Sequence, residues 1–140
     1  MKTANTNFLM SADCKALMVD DDPFQQAVLG DMLRDLGMRD ISAAKDGASA
    51  LSAIERGARA PDLVLCDLAM PSSDGFSLME ALGQRGFTGS VILVSGMDER
   101  TRNSAGLMGR FHGLRVAATL AKPVDAQALR TAVEKVLAGH

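Results

Sequence analysis

Apolar residues follow two rhythms along this chain. Four stretches are nearly continuous: Ala16-Leu17-Met18-Val19, Leu63-Val64-Leu65-Cys66, Val91-Ile92-Leu93-Val94, and Val116 to Ala121. Short apolar runs bounded by polar or turn-forming residues read as strands buried on both faces, as in a parallel sheet. Between them, apolar residues recur three and four apart, the period of a helix with one buried face. Asp22-Pro23 offers an N-cap and a proline suited to the first helical position. Phe24, Val28, Met32, Leu33 and Leu36 then repeat at helical spacing, and Gly37 fits the stop. A strand around Ile41 to Lys45 leads into Asp46-Gly47 and a helix carrying Ala50, Leu51 and Ile54, closed by Arg56 to Pro61. Leu78, Met79 and Leu82 mark a third helix ending near Gly83 to Gly86. A fourth spans Glu99 to about Phe111, with Ala105, Leu107, Met108 and Phe111 as its apolar positions. Asp125 caps a fifth, holding Leu129, Val133, Val136 and Leu137. Five alternating strand–helix units imply an α/β domain with one parallel sheet covered on both faces. The division expected is a flexible leader over residues 1–13 and a single domain over 14–140.

The residues that follow the strands carry the chemistry. The first run ends in Asp20-Asp21-Asp22 and the third strand in Asp67, followed by Leu68-Ala69-Met70-Pro71-Ser72-Ser73-Asp74-Gly75. Val94 precedes Ser95, and Ala121 precedes Lys122-Pro123. Open α/β sheets place ligands at the carboxyl ends of their strands, so acids, a hydroxyl and an ammonium are expected along one edge.

Composition narrows the function classes. Fifteen Lys and Arg against seventeen Asp and Glu give a net charge of −2, no footprint for gripping nucleic-acid phosphates. No apolar stretch approaches the ~18–20 residues needed to cross a bilayer. Met1 to Asp13 has one Lys and no sustained apolar core, a poor signal peptide, and a cytoplasmic location is the default. Cys14 and Cys66 fall at opposite ends of neighbouring strands, about 20 Å apart at ~3.3 Å per residue and beyond disulfide reach.

Taken together, the acidic pair, the isolated Asp67 with Met70-Pro71 and Asp74-Gly75 after it, Ser95 and Lys122-Pro123 resemble the receiver domain of bacterial two-component response regulators. The resemblance covers roughly Lys15 to Leu137. It implies a flavodoxin-like, doubly wound five-stranded sheet of order 2-1-3-4-5, with the site where the first and third strands meet. It also implies that Asp67 accepts a phosphoryl group from a sensor histidine kinase or phosphotransfer protein. Such a domain catalyses only its own phosphorylation and dephosphorylation. Adjacent carboxylates beside a third repel one another unless a cation intervenes, and Mg2+ suits a site of few protein ligands completed by water and phosphate oxygens. By resemblance, Asp21, Asp67 and the backbone carbonyl of Ala69 bind the metal directly, and Asp20 acts through a metal-bound water. Asp22 is better explained as a helix cap. Ser95 would donate to one phosphoryl oxygen and Lys122 neutralise another. The family's counterpart of the Lys122–Pro123 bond is cis.

Several positions depart from the common receiver pattern. Thr119 stands where most receivers carry a Tyr or Phe that reports phosphorylation by burying its ring. Ala69 and Met97 occupy the two positions that tune phosphoryl lifetime, and neither can orient a water through hydrogen bonds. Gly96 replaces the usual Ala. The stretch from Ser95 to Lys122 is about five residues longer than usual, roughly one and a half helical turns. Together with Asp22-Pro23-Phe24-Gln25, Cys66-Asp67-Leu68 and His112-Gly113-Leu114, this pattern is most similar to receivers at the N-terminus of regulators carrying an EAL-type cyclic-di-GMP phosphodiesterase domain. The output surface expected is Asp98 to Leu120, docking an output domain or a second receiver. Two rivals share these residues. One is a haloacid-dehalogenase-like phosphatase, with Asp20 as nucleophile and Asp22 as acid/base. The other is a receiver fold serving only as an unphosphorylated interaction module.

Overall fold

The structure is a computed structural model, and it describes residues 11–68 and 74–139. Ala69 and most of the expected leader lie outside the described residues. After a 3-10 turn at Ser11–Asp13, the elements alternate strictly. They are β1 (Lys15–Val19), α1 (Pro23–Asp35), β2 (Asp40–Ala44), α2 (Gly47–Arg56), β3 (Leu63–Asp67), α3 (Asp74–Gln84), β4 (Ser90–Ser95), α4 (Glu99–Phe111), β5 (Arg115–Ala121) and α5 (Ala126–Ala138). All strand pairings are parallel, in the order β2-β1-β3-β4-β5.

Two-residue alternation along each strand divides the core into two layers. Ala16, Met18, Leu63, Leu65, Ile92 and Val94 face α1 and α5, meeting Leu29, Leu33, Leu129, Val133 and Val136. Leu17, Val19, Val64, Cys66, Val91 and Leu93 face α2, α3 and α4, meeting Ala50, Leu78, Met79, Leu82 and Ala105. Every residue of β3 and β4 is buried, because these strands have neighbours on both edges and helices on both faces. The continuous apolar runs reflect that double coverage.

Local chemistry sets the helix ends. Asp22, Asp46, Asp98 and Asp125 each accept a first-turn N–H, from Phe24, Ser49, Thr101 and Ala128. Gly37 takes φ +96°, where the helix reverses and Met38 N–H reaches back to Leu33 O at 3.2 Å.

The fourth helix is rotated from the phase its apolar residues suggested. Ala105, Gly106 and Gly109 are buried, while Leu107 is 65% exposed, Phe111 86% and Met108 also exposed. The cause is close approach to β5. A Cβ on Gly109 would lie 2.8 Å from Val116 Cγ2, and one on Gly106 would lie 3.1 Å from Thr119 Cγ2. Only the small-residue stripe fits that contact, so the large apolar side chains turn outward. Phe24, expected on the inner face of α1, is also exposed.

Strand β5 carries a further irregularity. Its register against β4 slips between Val91 and Ile92, which pair with Val116 and Ala118 and leave Ala117 as the extra residue of a bulge. The slip turns Thr119 toward α4, on the same side as Val116, although the two are three residues apart.

Candidate functional site

Strands β1 and β3 are neighbours, but their connections leave in opposite directions, β1 toward β2 and β3 toward β4. The helices that follow therefore diverge at this point, opening a crevice at the carboxyl ends of the strands. Val19 pairs with Cys66, so Asp20 emerges beside Asp67. Asp67 pairs with Val94, and Ser95 with Ala121, bringing the next two strand ends into the same row. Topology alone thus collects residues 20, 67, 95 and 122 from four strands.

The side chains bear this out in detail. Asp20, Asp21 and Asp67 each present a carboxylate oxygen, all within 4.8 Å of one another. Asp20 and Asp67 are buried, whereas Asp21 is exposed. Asp20 Oδ1 accepts from Asp22 N–H at 2.9 Å, while its buried Oδ2 has no hydrogen-bond partner among the described residues. Burial pushes the Asp20 carboxyl above its ordinary range, and the nearby charges of Asp67 and Asp21 add to the push. The Asp22 N–H and the Lys122 ammonium oppose it.

Lys122 Nζ donates to Asp67 Oδ2 at 2.8 Å, a pair in which Asp67 is 4% exposed and Lys122 28%. Its peptide bond to Pro123 is cis, and Lys122 N–H donates to Ser95 O at 3.0 Å. Ser95 is fully buried, and its Oγ accepts from Met97 N–H at 2.9 Å. A hydroxyl that accepts there still carries a proton to donate.

Orphaned, buried carboxylate oxygen beside two further carboxylates is a donor set for a hard cation. All three donors are anionic oxygens, which favours Mg2+ or a similar divalent ion over softer metals. The residues present fit the metal that the fold implies. Asp22 is not part of this set: it caps α1, accepting from Phe24 N–H at 3.0 Å. The cap accounts for Asp22 without the acid/base role that a dehalogenase-type phosphatase would give it. Ala69, whose carbonyl completes the expected ligand set, lies outside the described residues.

Two polar side chains of this region were not legible from the motifs. Gln26, in the first turn of α1, donates through Nε2 to Asp20 O at 2.6 Å and reaches Ala44 O at 3.5 Å. Arg102 of α4 donates to Met97 O. Each lies one helical turn past a cap, a position whose side chain can fold back on the preceding loop. That placement was the only available signal. The cysteines stay apart, both buried and unbridged. Burial, with the Asp62 carboxylate next, pushes the Cys14 thiol up to about 11, disfavouring the thiolate.

Comparison with known proteins agrees with this geometry. The family model of the response regulator receiver domain matches residues 16–134. The chain is 37% identical over 94 residues to the sensor histidine kinase RcsC of Salmonella typhimurium, covering 67% of this chain and 9% of that protein. It is 35% identical over 118 residues to the regulator of RpoS of Escherichia coli, covering 84% of this chain and 33% of that protein. It is 32% identical over 111 residues to the cyclic di-GMP phosphodiesterase RocR of Pseudomonas aeruginosa, covering 79% and 28%. The chain thus spans a third or less of the length of these relatives. Among solved structures, the Francisella response regulator 1452 receiver domain superposes with a TM-score of 0.73 at 27% identity, covering 89% of this chain and 96% of that one. A response regulator from Colwellia psychrerythraea shares the fold, with a TM-score of 0.76 at 23% identity over 91% and 98% of the two chains. With the model matching nearly all of the sheet and its strand-end residues, the chain belongs to the response regulator receiver domain family of two-component systems.

Proposed function

We propose that Asp67 is the phosphoacceptor of this receiver, that Asp20, Asp21 and Asp67 with the Ala69 carbonyl hold Mg2+, and that Ser95 and Lys122 receive the phosphoryl oxygens. The observation that carries this reading is the convergence of three carboxylates and one ammonium on a single strand edge, with Asp67 in both sets. In the transfer, an Asp67 carboxylate oxygen attacks the phosphorus of a phosphohistidine. The new P–O bond forms as the P–N bond breaks, and the bonding pair leaves on the imidazole nitrogen, which takes up a proton. Little covalent work falls to the protein, since phosphoryl transfer depends on positioning and on charge over the equatorial oxygens. When bound, Mg2+ neutralises charge on the carboxylates and the incoming phosphoryl group. Lys122, already 2.8 Å from Asp67, shifts from carboxylate to phosphoryl oxygen, and the Ser95 hydroxyl donates to another. The kinase or phosphotransfer protein supplies the phosphohistidine.

Output follows from the change at the acceptor, where a carboxylate of charge −1 becomes a bulkier phosphoryl group carrying roughly −1.5 to −2. Met97 N–H is bonded to Ser95 Oγ and Met97 O to Arg102 of α4, so movement of Ser95 pulls on that helix. The outward Leu107, Met108 and Phe111 give α4 an apolar surface suited to an output domain or second receiver, within the segment Asp98 to Leu120.

Incubation with acetyl phosphate and Mg2+, read by intact mass, tests the acceptor. One phosphoryl group should add to the wild type and none to Asp67→Asn. Asp21→Asn should abolish labelling, whereas Asp22→Ala should retain it. Full labelling of Asp67→Asn would refute the assignment, and an unlabelled wild type would favour the unphosphorylated interaction module.

A further inference from the structure

The Asp20–Asp22 loop holds its acids against mutual repulsion, and the side chain that fastens it from outside is Gln26. Asp20 N–H donates to Ala44 O at 3.0 Å, and Gln26 N–H to Asp22 O at 3.0 Å, bonds that any sequence in this conformation could make. The Gln26 amide differs, because it spends its Nε2 protons on two carbonyls, Asp20 O at 2.6 Å and Ala44 O at 3.5 Å. One side chain therefore joins the end of β1, the end of β2 and the first turn of α1. The carbonyl it grips belongs to the same residue whose Oδ2 is buried without a hydrogen-bond partner among the described residues.

We propose that Gln26 is a positioning residue for cation binding: it keeps the Asp20–Asp21 carboxylates facing Asp67 before the cation arrives. This rests on the reading of those acids as the Mg2+ site. The chemistry of the position favours a neutral amide. Both targets are acceptors, so a carboxylate there could not donate. A Ser or Thr hydroxyl is too short to reach from the helix. A Lys or Arg could also donate, but would add a positive charge to the one Lys122 already supplies. Mg2+ tolerates little departure from its preferred geometry, so a loop free to relax away from Asp67 costs affinity each time it is drawn back. Among the described residues Gln26 bonds no carboxylate oxygen of the site, and it acts through the Asp20 backbone.

The test compares Gln26→Met, which keeps length and removes the donors, with Gln26→Asn, which keeps the amide one methylene short, and with Gln25→Met as a control. Mg2+ affinity is measured by calorimetry with the metal alone, and melting is followed in EDTA. Gln26→Met should weaken Mg2+ binding about tenfold, the usual scale for residues that orient ligands. Gln26→Asn should fall between, and Gln25→Met should match wild type. Melting of Gln26→Met in EDTA should change no more than that of Gln25→Met, because relaxing the loop relieves repulsion as it loses the bonds. Unchanged Mg2+ affinity in a folded Gln26→Met, or a large melting loss with affinity intact, would make Gln26 merely structural and overturn the proposal. A wild type that binds no Mg2+ would overturn the metal reading itself, and this one with it.

Discussion

Replacing Asp20 by Asn should stabilise the metal-free protein and cost it the response to Mg2+. Three carboxylate oxygens lie within 4.8 Å of one another, two of the three residues buried. At that separation two unit charges repel by about 3.5 kcal/mol at an effective dielectric of about 20, and by about 0.9 kcal/mol in bulk water. Lys122 offsets part of this through its bond to Asp67, as does the Asp22 N–H through its bond to Asp20. A net gain of about 1–3 kcal/mol on neutralising Asp20 is what remains. For a chain of this size that corresponds to a rise in melting temperature of about 3–10 °C.

Mg2+ should close or invert that gap. A ligand at a hundred times its Kd adds about 2.7 kcal/mol to the state that binds it. Wild type gains this increment, and Asp20→Asn gains little. The chain has no Trp or Tyr, so helix ellipticity is the natural signal for melts in EDTA and in saturating Mg2+. Asp20→Asn melting below wild type in EDTA would refute the repulsion account. A gap between the two that Mg2+ leaves unchanged would show that Asp20 takes no part in metal binding.

Lys122→Met should destabilise by about 1–3 kcal/mol, because it strips a charged hydrogen bond from a buried carboxylate. Adding Asp67→Asn should recover most of that loss in a double-mutant cycle followed by urea unfolding. Arg102→Ala should leave phosphorylation by acetyl phosphate intact while reducing the beryllofluoride-induced change in hydrogen exchange across Asp98 to Leu120. An undiminished change would exclude that route. Acid should loosen the starts of α2 and α4, whose caps Asp46 and Asp98 are held below the ordinary carboxyl range by the Ser49 and Thr101 N–H groups. A depressed folded-state pKa gives stability that is present above the unfolded carboxyl value of about 3.9 and lost as pH falls through the lower one. Acid titration of Asp98→Asn, followed by ellipticity, should therefore lack the contribution from α4.

Much of this was legible because strand ends are encoded locally. An apolar run followed by an acid, a Ser or a Lys marks both the strand and the residue it delivers, and the parallel register then assembles the row without further information. The caps at Asp22 and Asp125 were equally local. What escaped were contacts set by the distance between elements. The inward stripe of α4 is Ala105, Gly106 and Gly109, and hydrophobicity alone points to Leu107, Met108 and Phe111 instead. Glycine carries no apolar weight in a periodicity, yet it decides which face approaches β5. The bulge at Ala117 was hidden for a related reason, since a run with apolar residues on both faces gives no alternation from which a slip could be seen. Gln26 and Arg102 bond to backbone carbonyls, partners that leave no mark in a side-chain pattern.

These unpredicted features bear on the same departure from the common receiver pattern. Thr119 offers no ring to swing inward when Ser95 moves, and the bulge turns it onto Gly106, closing the space between β5 and α4. A tight contact of that kind transmits displacement of the helix as a body better than rotation of a single side chain, because packed interfaces shift between discrete arrangements and do not deform continuously. The tie to the site runs at the helix start, from Ser95 Oγ through the Met97 peptide to Arg102. On the output route proposed above, a pull there would act on the first turns of α4, and the close approaches of Gly106 to Thr119 and Gly109 to Val116 would be the surface over which the helix moves. Movement of the helix as a body would carry the outward Leu107, Met108 and Phe111 with it and alter the surface met by a partner without any aromatic switch.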